Sequence, residues 1–265
     1  MMRRLLVGSV FAGESSDPFW YSLQLSRLQS GLPREAFDHC VFLGRRAVPV
    51  QFEQSIVIGQ SSRGGNGEHL EGLHKVMEYF LQRRADYEGF LVLDSDAFPI
   101  RSDWMAVLDG YIERFHKNYA AAVRTENLDV FPHPCIAYSR YPEYLVFDRV
   151  TSVNLLGEQV ADVACIADGM FPLIKCNQLS VHPTISTIYS DLFYHHGCGS
   201  RAFWMRSIGR GYYDHIATAV SDPRNLIEML KIDAEEYIAR LRFGSARGSG
   251  IPDDIGENAP AFTRS

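Results

Sequence analysis

Closely spaced pairs of cysteines are missing from this chain of 265 residues, which has 5 cysteines in all. Their number is odd, and no two of them form the Cys-x-x-Cys pair that is typical of structural zinc sites and dithiol redox sites. We therefore expect reduced thiols, as in a cytoplasmic protein. The cysteines are Cys40, Cys135, Cys165, Cys176 and Cys198.

An excess of positive charge is missing as well. The formal net charge is −6 and the isoelectric point is about 5.8, so the chain lacks the overall basic character that usually accompanies nucleic-acid binding.

No hydrophobic run approaches the ~18 residues of a membrane-spanning helix. The apolar run at residues 5–11 is short and lacks the cleavage site of a signal peptide. We interpret it as a core strand of a soluble or at most peripheral protein in the cytoplasm.

The first half of the chain alternates between strand and helix patterns. Its composition is that of a globular protein, with 46% apolar and 22% charged residues. Residues 70–81 carry apolar side chains at helical spacing, and Asp17-Pro18 is typical of a helix start. Alternation of this kind predicts an α/β fold with a mostly parallel, Rossmann-like sheet. The predicted strands are residues 5–11, 39–43, 55–58, 90–93 and 119–123.

The second half has a more irregular pattern. Residues 131–135 contain two prolines and predict a loop, residues 168–179 favour a helix, and residues 189–195 favour a strand. From residue 244 onward glycine, serine, proline and charged residues dominate, and such a segment cannot bury enough apolar surface to fold. The expected division is a single domain over residues 1–243, with halves 1–124 and 125–243, and a flexible tail over residues 244–265.

Two carboxylates follow a buried strand near the middle of the chain. Residues 90–93 are all apolar, and Asp94 and Asp96 come directly after them, ahead of a turn that contains Pro99. Oxygen ligands suit Mg²⁺ and Mn²⁺, and a Mg²⁺-type ion is usually held by one or two carboxylates together with the phosphate oxygens of a substrate. Asp-x-Asp pairs also occur in turns and helix caps. The position at a strand end is what indicates a metal site for a nucleotide or nucleotide-sugar.

Three features follow one another along the chain: a glycine-rich loop that opens a helix, the Asp94-Ser95-Asp96 strand end, and a strand end with two histidines. In this order they resemble the GT-A glycosyltransferase superfamily over roughly residues 3–215. Residues 64–73 look like the glycine-rich loop and following helix of that superfamily, and residues 90–99 look like its metal-binding strand. Tyr194-His195-His196-Gly197 resembles its C-terminal ligand histidine.

The resemblance implies a nucleotide-sugar half with a GT-A sheet, a more irregular acceptor-binding half, and metal-dependent transfer of a sugar. Asp96 is then a direct ligand of Mn²⁺ or Mg²⁺, and Asp94 binds the metal through water or holds the ribose hydroxyls. His195 or His196 completes the metal shell, and an imidazole ligand favours Mn²⁺ over Mg²⁺. Successive residues of a strand face opposite ways, so one of the two histidines is expected to reach the metal, and we favour His195.

Further candidates for donor binding lie at the same predicted sheet edge, because open α/β sheets bind ligands outside the carboxyl ends of their strands. Ser9 and Phe11 end the first strand, and Phe11 is either a core residue or a ring that stacks on uracil. Asn66 and Gly67 open a helix, either as its cap, as a contact to the donor, or as both. The expected donor is a nucleotide-sugar, with a UDP-sugar favoured.

The chemical step has its own candidates. Arg124 and Glu126 follow the predicted strand over 119–123, where they either clamp phosphate or acceptor hydroxyls or form a surface ion pair. An inverting transfer requires a carboxylate that takes the proton from the acceptor hydroxyl, and Asp168 is our candidate for this general base. Asp168 is equally suited to cap a helix, and Asp162 and Asp191 are rivals for the role. A retaining transfer needs no such base, and the sequence leaves the stereochemistry open.

Two other functions compete with a glycosyltransferase. A nucleotidyltransferase that makes nucleotide-sugars normally carries a basic glycine-rich signature after the first strand, but here Gly13 is followed by Glu14. A non-catalytic nucleotide- or sugar-binding module would use Asp94 and Asp96 only to cap a turn. The acceptor of a transferase is open between a saccharide, a lipid-linked sugar, a small metabolite and a modified DNA base, the last disfavoured by the acidic isoelectric point.

Overall fold

The computed structural model describes residues 4–12, 18–63, 66–126, 129–153, 159–166, 168–176 and 187–195. The helices are α1 (Pro18–Gly31), α2 (Asn66–Gln82) and α3 (Trp104–Arg114). The first seven strands are β1 (Arg4–Phe11), β2 (Phe37–Leu43), β3 (Ile56–Gln60), β4 (Tyr87–Asp94), β5 (Ala97–Pro99), β6 (Tyr119–Glu126) and β7 (Asp129–Ser139). They are followed by β8 (Phe147–Val153), β9 (Gln159–Cys165), β10 (Met170–Leu173), β11 (Lys175–Cys176), β12 (Thr187–Tyr189) and β13 (Phe193–His195).

A seven-stranded sheet with the order β10-β6-β7-β4-β1-β2-β3 forms the centre of the described part. Strands β3, β2, β1 and β4 are parallel neighbours, and β10 is parallel to β6. Only β7 runs antiparallel to the strands on either side of it. The predicted α/β class with a mostly parallel sheet is therefore confirmed. Its parallel strands all end at one edge of the sheet, which we call the carboxyl edge.

Apolar side chains cover both faces of this sheet. Successive residues of a strand face opposite ways, so Leu6 and Val7 of β1 belong to different hydrophobic clusters. The face with Val7 packs against α1 and α3, and the face with Leu6 packs against α2. The approach of α2 is close, because a Cβ at Gly8 would lie 2.3 Å from Cγ1 of Val76. Gly8 thus lets α2 lie directly on β1.

A smaller sheet lies beyond the carboxyl edge. Four strands form it in the order β11-β12-β13-β5. Because β5 begins three residues after β4 ends, this sheet is tied to the end of β4. The antiparallel pairing of β5 with β13 sets His195 opposite Ala97. The two sheets thus bring the end of β4 and the end of β13 together.

The loop predicted over residues 131–135 is wrong, because these residues belong to β7. Pairing of β7 with β4 begins only at Ile136, and the register with β6 shifts between Ala121 and Ala122. Pro132 and Pro134 therefore lie where β7 has a neighbour on one side and next to a bulge, and such positions tolerate a residue without an N–H.

The helix predicted over residues 168–179 is also wrong in its described part, which forms β10 and β11. Phe171 and Leu173 are buried while Met170 and Pro172 between them are partly exposed, which is the two-residue alternation of a strand. The tail over residues 244–265 and His196 lie outside the described residues.

The cysteines whose side chains are described are free thiols. They are Cys40, Cys135 and Cys165, and all three are buried. Among the described helices, none is long and apolar enough to cross a membrane.

Candidate metal centre

Two carboxylates and an imidazole converge at the carboxyl edge. Asp94, Asp96 and His195, which we call the ligand cluster, each offer one ligand atom, and these atoms all lie within 4.8 Å of one another. Nε2 of His195 lies 3.3 Å from Oδ2 of Asp94 and 3.4 Å from Oδ1 of Asp96. The cluster thus joins residues that are about a hundred positions apart in the sequence.

The local backbone explains why these side chains meet. Asp94 is the last residue of β4, and the chain turns through Ser95 and Asp96 before it enters β5. The turn keeps the two aspartates at one end of the strand, and pairing of β5 with β13 brings His195 alongside. The sequence prediction that Asp94 and Asp96 end a buried strand therefore matches their position here.

One oxygen of the ligand cluster has no partner. Asp96 is only 3% exposed, and its Oδ2 is buried without a hydrogen-bond partner among the described residues. A buried acceptor without a donor costs about 1–3 kcal/mol, and more when it is charged. A cation beside this oxygen would remove that cost. Two carboxylates and one imidazole form a donor set that suits Mn²⁺, so the residues present fit the metal that the resemblance implies.

His69 is a further contact that the sequence reasoning did not single out. Its Nε2 donates a hydrogen bond of 3.0 Å to Oδ1 of Asp94. His69 lies in the first turns of α2, so this bond connects α2 to the end of β4. The residue falls inside the glycine-rich segment at residues 64–73, but no spacing in the sequence marks it. Only the packing of α2 on the sheet brings it to Asp94.

The histidines keep the ligand cluster balanced in charge. Burial alone raises the pKa of Asp94, but the charge of His69 and the hydrogen bonds from His195 and His69 hold that pKa well below its usual range. Burial alone lowers the pKa of His195, but Cys135 and Asp96 and the bonds to the two aspartates raise it well above the usual value. In this state Asp94 is ionised and His195 holds a proton that a cation would replace.

A second group lies behind His195. The rings of His133 and His195 are stacked with centroids 6.3 Å apart, and Nε2 of His133 lies 3.3 Å from Oδ1 of Asp162. Burial lowers the pKa of His133, but Cys135 and Asp162 raise it to about 9. Burial raises the pKa of Cys135, but the charges of His195 and His133 lower it to about 7. The ring of His195 is thus held in place by its stacking on the ring of His133.

The residues predicted to bind the donor are placed as follows. Ser9 and Phe11 are fully buried, with Phe11 packed on Tyr21 and Phe52, so Phe11 has the core position rather than an open stacking position. Helix α2 begins at Asn66, and a Cβ at Gly67 would have no atom within 4 Å.

Two further predicted residues lie within a strand. Arg124 and Glu126 belong to β6, opposite Phe131 and Asp129 of β7, and do not follow the strand as predicted. They lie near the end of β6, and β6 runs parallel to β4, so they lie at the carboxyl edge.

The three candidates for the general base lie in different places. Asp168 is exposed and precedes β10, whose first residue Met170 pairs with Tyr119 at the start of β6. It therefore lies at the edge opposite the ligand cluster, because parallel strands start at one edge and end at the other. Asp191 lies in the turn between β12 and β13, with φ of 60°. Asp162 is bonded to His133, whose ring stacks on that of His195.

Solved structures of glycosyltransferases are among those that the chain matches, whereas no family model and no curated protein matches it. TarS 1-349 from S. aureus matches with a TM-score of 0.34 and 12% identity over 52% of this chain and 47% of that chain. The mannosyltransferase PcManGT from Pyrobaculum calidifontis, in complex with GDP-Man and Mn²⁺, matches with 0.38 and 13% over 53% and 45%. The galactosyltransferase LgtC, in complex with donor and acceptor sugar analogs, matches with 0.34 and 10% over 51% and 57%.

The aligned part spans about half of each of those chains.

Proposed function

We propose that this protein is a glycosyltransferase that takes its sugar from a nucleotide-sugar and uses a divalent cation, Mn²⁺ or Mg²⁺, held by the ligand cluster. The observation that carries the proposal is the convergence of Asp94, Asp96 and His195 beside a buried Asp96 oxygen that has no hydrogen-bond partner among the described residues. A structural turn would not need two carboxylates, one of them buried, together with a histidine. A cation site for a diphosphate does.

The chemistry of donor cleavage accounts for this donor set. A bound divalent cation acts as a Lewis acid and neutralises the negative charge of the leaving nucleoside diphosphate. Asp96 supplies charge from a buried position, and Asp94 is kept ionised by His69 and His195. His195 would hold the cation through Nε2, which can bind a metal only in the unprotonated form of the ring. His69 orients the carboxylate of Asp94 through the bond to Oδ1.

The position of the ligand cluster also supports a nucleotide donor. Open α/β sheets bind ligands outside the carboxyl ends of their strands, and the cluster lies at that edge. The amino terminus of α2, which favours negative charge, reaches the same region, since His69 in its first turns contacts Asp94. We propose Asn66, Gly67 and Arg124 as contacts to the donor phosphates or sugar.

For an inverting transfer, the placement favours Asp162 over Asp168 as the general base. Asp162 is bonded to His133, which stacks on His195, whereas Asp168 lies at the opposite edge of the sheet. A carboxylate at the far edge cannot reach an acceptor hydroxyl beside the cluster. This choice applies only if the transfer inverts, because a retaining transfer needs no such base.

The test is hydrolysis of the donor to water in the absence of an acceptor. Purified protein, stripped of metal with EDTA, is incubated with UDP-GlcNAc, UDP-Gal, UDP-Glc and GDP-Man, with and without Mn²⁺. We expect release of one nucleoside diphosphate that depends on Mn²⁺ and is lost in Asp96→Asn. A release that Asp96→Asn leaves unchanged would come from a contaminant or from another site. No release from any donor, with no Mn²⁺-dependent binding of UDP or GDP, would contradict the proposal.

A further inference from the structure

A chain of buried and partly buried hydrogen bonds runs from α1 and β2 to the turn that carries the aspartates. Its members are Tyr21, Ser55, His39, Ser9 and Gln24, which we call the support network. The hydroxyl of Tyr21 lies 2.9 Å from Oγ of Ser55, which lies 2.9 Å from Nδ1 of His39. Nε2 of His39 lies 3.2 Å from Oγ of Ser9, which donates at 2.8 Å to Oε1 of Gln24.

Gln24 ends the support network at the ligand cluster. Its Nε2 donates one hydrogen bond of 2.8 Å to the carbonyl of Asp94 and another of 2.8 Å to the carbonyl of Ala97. These carbonyls stand on either side of the Ser95-Asp96 turn. One amide group thus joins the last residue of β4 to the first residue of β5, and it fixes the backbone from which both aspartates project.

The direction of the bonds is set by chemistry. Gln24 uses both N–H groups on carbonyl oxygens, so its oxygen can only accept, and Ser9 must donate to it. Ser9 has then no proton left for His39, and Nε2 of His39 donates to Ser9. Nδ1 of the neutral ring accepts from Ser55, whose oxygen accepts from Tyr21. Burial, followed by the charge of Arg34, lowers the pKa of His39 to about 3, which keeps the ring neutral.

The burial of a glutamine side chain at position 24 of α1 requires a physical explanation. Gln24 is fully buried on a helix whose neighbouring buried residues are apolar, among them Leu23, Leu25 and Leu28. A buried amide costs stability unless every group of it is bonded, and an apolar side chain would fill the same space without that requirement. Here the amide makes three hydrogen bonds, two from Nε2 and one to Oε1. The two bonds from Nε2 end at the aspartate turn.

We infer that Gln24 is a positioning residue for the metal centre, which holds the Asp94–Asp96 turn in the geometry that binds the cation. The inference rests on the proposed function, because it assumes a cation at Asp94, Asp96 and His195. Groups that orient metal ligands typically change metal affinity 10–100-fold when they are removed. The support network places Gln24 in that class although it lies on a different element from every ligand.

The test measures the Mn²⁺ dissociation constant by electron paramagnetic resonance of free Mn²⁺, with the melting temperature of each variant measured beside it. Gln24→Met keeps the length of the side chain and removes its hydrogen bonds. We expect it to raise the dissociation constant by roughly 10–100-fold. Ser9→Ala leaves the amide bonds to the turn in place but frees the amide oxygen, so we expect a smaller rise. Gln29→Met, at an exposed position of the same helix, is expected to bind as the wild type does.

A general loss of stability must not mimic this result. Leu108→Ala removes buried volume from α3 and serves as a destabilised control whose Mn²⁺ affinity is expected to stay unchanged. If Gln24→Met does not fold, Ser9→Ala carries the test, and an unchanged dissociation constant in Ser9→Ala then overturns the inference. A wild type that binds Mn²⁺ while Gln24→Met binds it equally well overturns the inference alone. A wild type that binds no Mn²⁺ overturns the proposed function and this inference with it.

Discussion

The support network and the ligand cluster are two polar regions that meet at the aspartate turn. Each contains a histidine: His39 is fully buried, and the side chain of His195 is 12% exposed. Among hydroxyls, burial and the charge of Arg34 lower the pKa of His39 to about 3. Between two carboxylates and Cys135, the pKa of His195 is raised well above the usual value even though burial lowers it. A histidine side chain is thus neutral in the support network and charged in the ligand cluster.

The difference shows which region is complete by itself. Each described polar atom of the Gln24 amide has its partner, so the support network needs no ligand. In the ligand cluster, Oδ2 of Asp96 has no partner among the described residues, and His195 balances charge that a cation would balance better. The support network, whose amide has all its hydrogen-bond partners, is suited to stabilise the fold. The ligand cluster, with a buried oxygen that has no described partner, is suited to bind a cation.

The largest expected effect comes from removing the charge of the incomplete region. Asp96→Asn replaces a buried carboxylate by a neutral amide of the same shape, and a metal ligand of this kind contributes several kcal/mol. We expect Mn²⁺-dependent donor hydrolysis to fall by at least about 100-fold while the circular dichroism spectrum stays unchanged. The assay is nucleoside diphosphate release at saturating Mn²⁺.

The matched control for that prediction is Asp86→Asn, which changes an exposed aspartate paired with Arg83 at 3.7 Å. It carries the same chemical change outside the cluster and is expected to leave hydrolysis as it is. Full activity of Asp96→Asn at saturating Mn²⁺ would show that Asp96 is not a ligand.

The next effect separates two neighbouring histidines. His195→Ala removes the imidazole whose Nε2 lies 3.3 Å from Asp94, and we expect Mn²⁺ affinity to fall by roughly 10–100-fold. His196→Ala is expected to have a mild effect, because His195 is the histidine whose Nε2 lies beside both aspartates. Titration of both variants with Mn²⁺ checks the prediction. Equal and mild losses would mean that neither histidine is a ligand.

A smaller effect tests the neutral histidine of the complete region. Its pKa is lower in the folded state than in the unfolded state, so the unfolded chain takes up the proton first as the pH falls. The free energy of unfolding should therefore fall as the pH drops below about 6.5, by about 2 kcal/mol at pH 5. The measurement is urea unfolding of metal-free protein between pH 7 and about pH 4.5.

His39→Gln should lose this part of the pH dependence, because glutamine does not titrate. His74→Gln, at an exposed position of α2, should keep it. An identical pH dependence in His39→Gln and in the wild type would show that His39 is not the buried neutral group described here.

The smallest effect is expected at the far end of the support network. Ser55→Ala removes the hydroxyl between Tyr21 and His39, and a hydrogen bond of this kind contributes about 1 kcal/mol to the free energy of unfolding. Mn²⁺ affinity should change far less than in Ser9→Ala, because four successive hydrogen bonds lead from Ser55 to the aspartate turn. Ser26→Ala, at an exposed position of α1, is the control and should stay within about 0.5 kcal/mol of the wild type. A Ser55→Ala protein that binds Mn²⁺ as weakly as Gln24→Met would contradict the graded order.

The ligand cluster was accessible to sequence reasoning because its residues are marked by local patterns. Asp94 and Asp96 follow an apolar run, and His195 ends a strand-like segment. The alternation of strand patterns with helix patterns in the first half likewise predicted the mostly parallel sheet. Each pattern is a hydrophobic periodicity, and this periodicity is set by local geometry.

The support network was not accessible in this way. Gln24 and His39 belong to no motif that marks them in the sequence, and their significance appears only when α1 packs on the sheet. The same holds for His69 and for β7, whose prolines suggest a loop until the one-sided pairing of that segment is known. Contacts between distant elements carry these features, and no spacing in one segment encodes them.

The most direct test of the metal centre is a Mn²⁺ titration of the EDTA-treated wild type and of Asp96→Asn, followed by electron paramagnetic resonance, with and without UDP or GDP. The account predicts one saturable Mn²⁺ per chain in the wild type, bound more tightly when a nucleoside diphosphate is present, and absent from Asp96→Asn. Binding of Mn²⁺ that is equal in both proteins, or no binding in either, would contradict it.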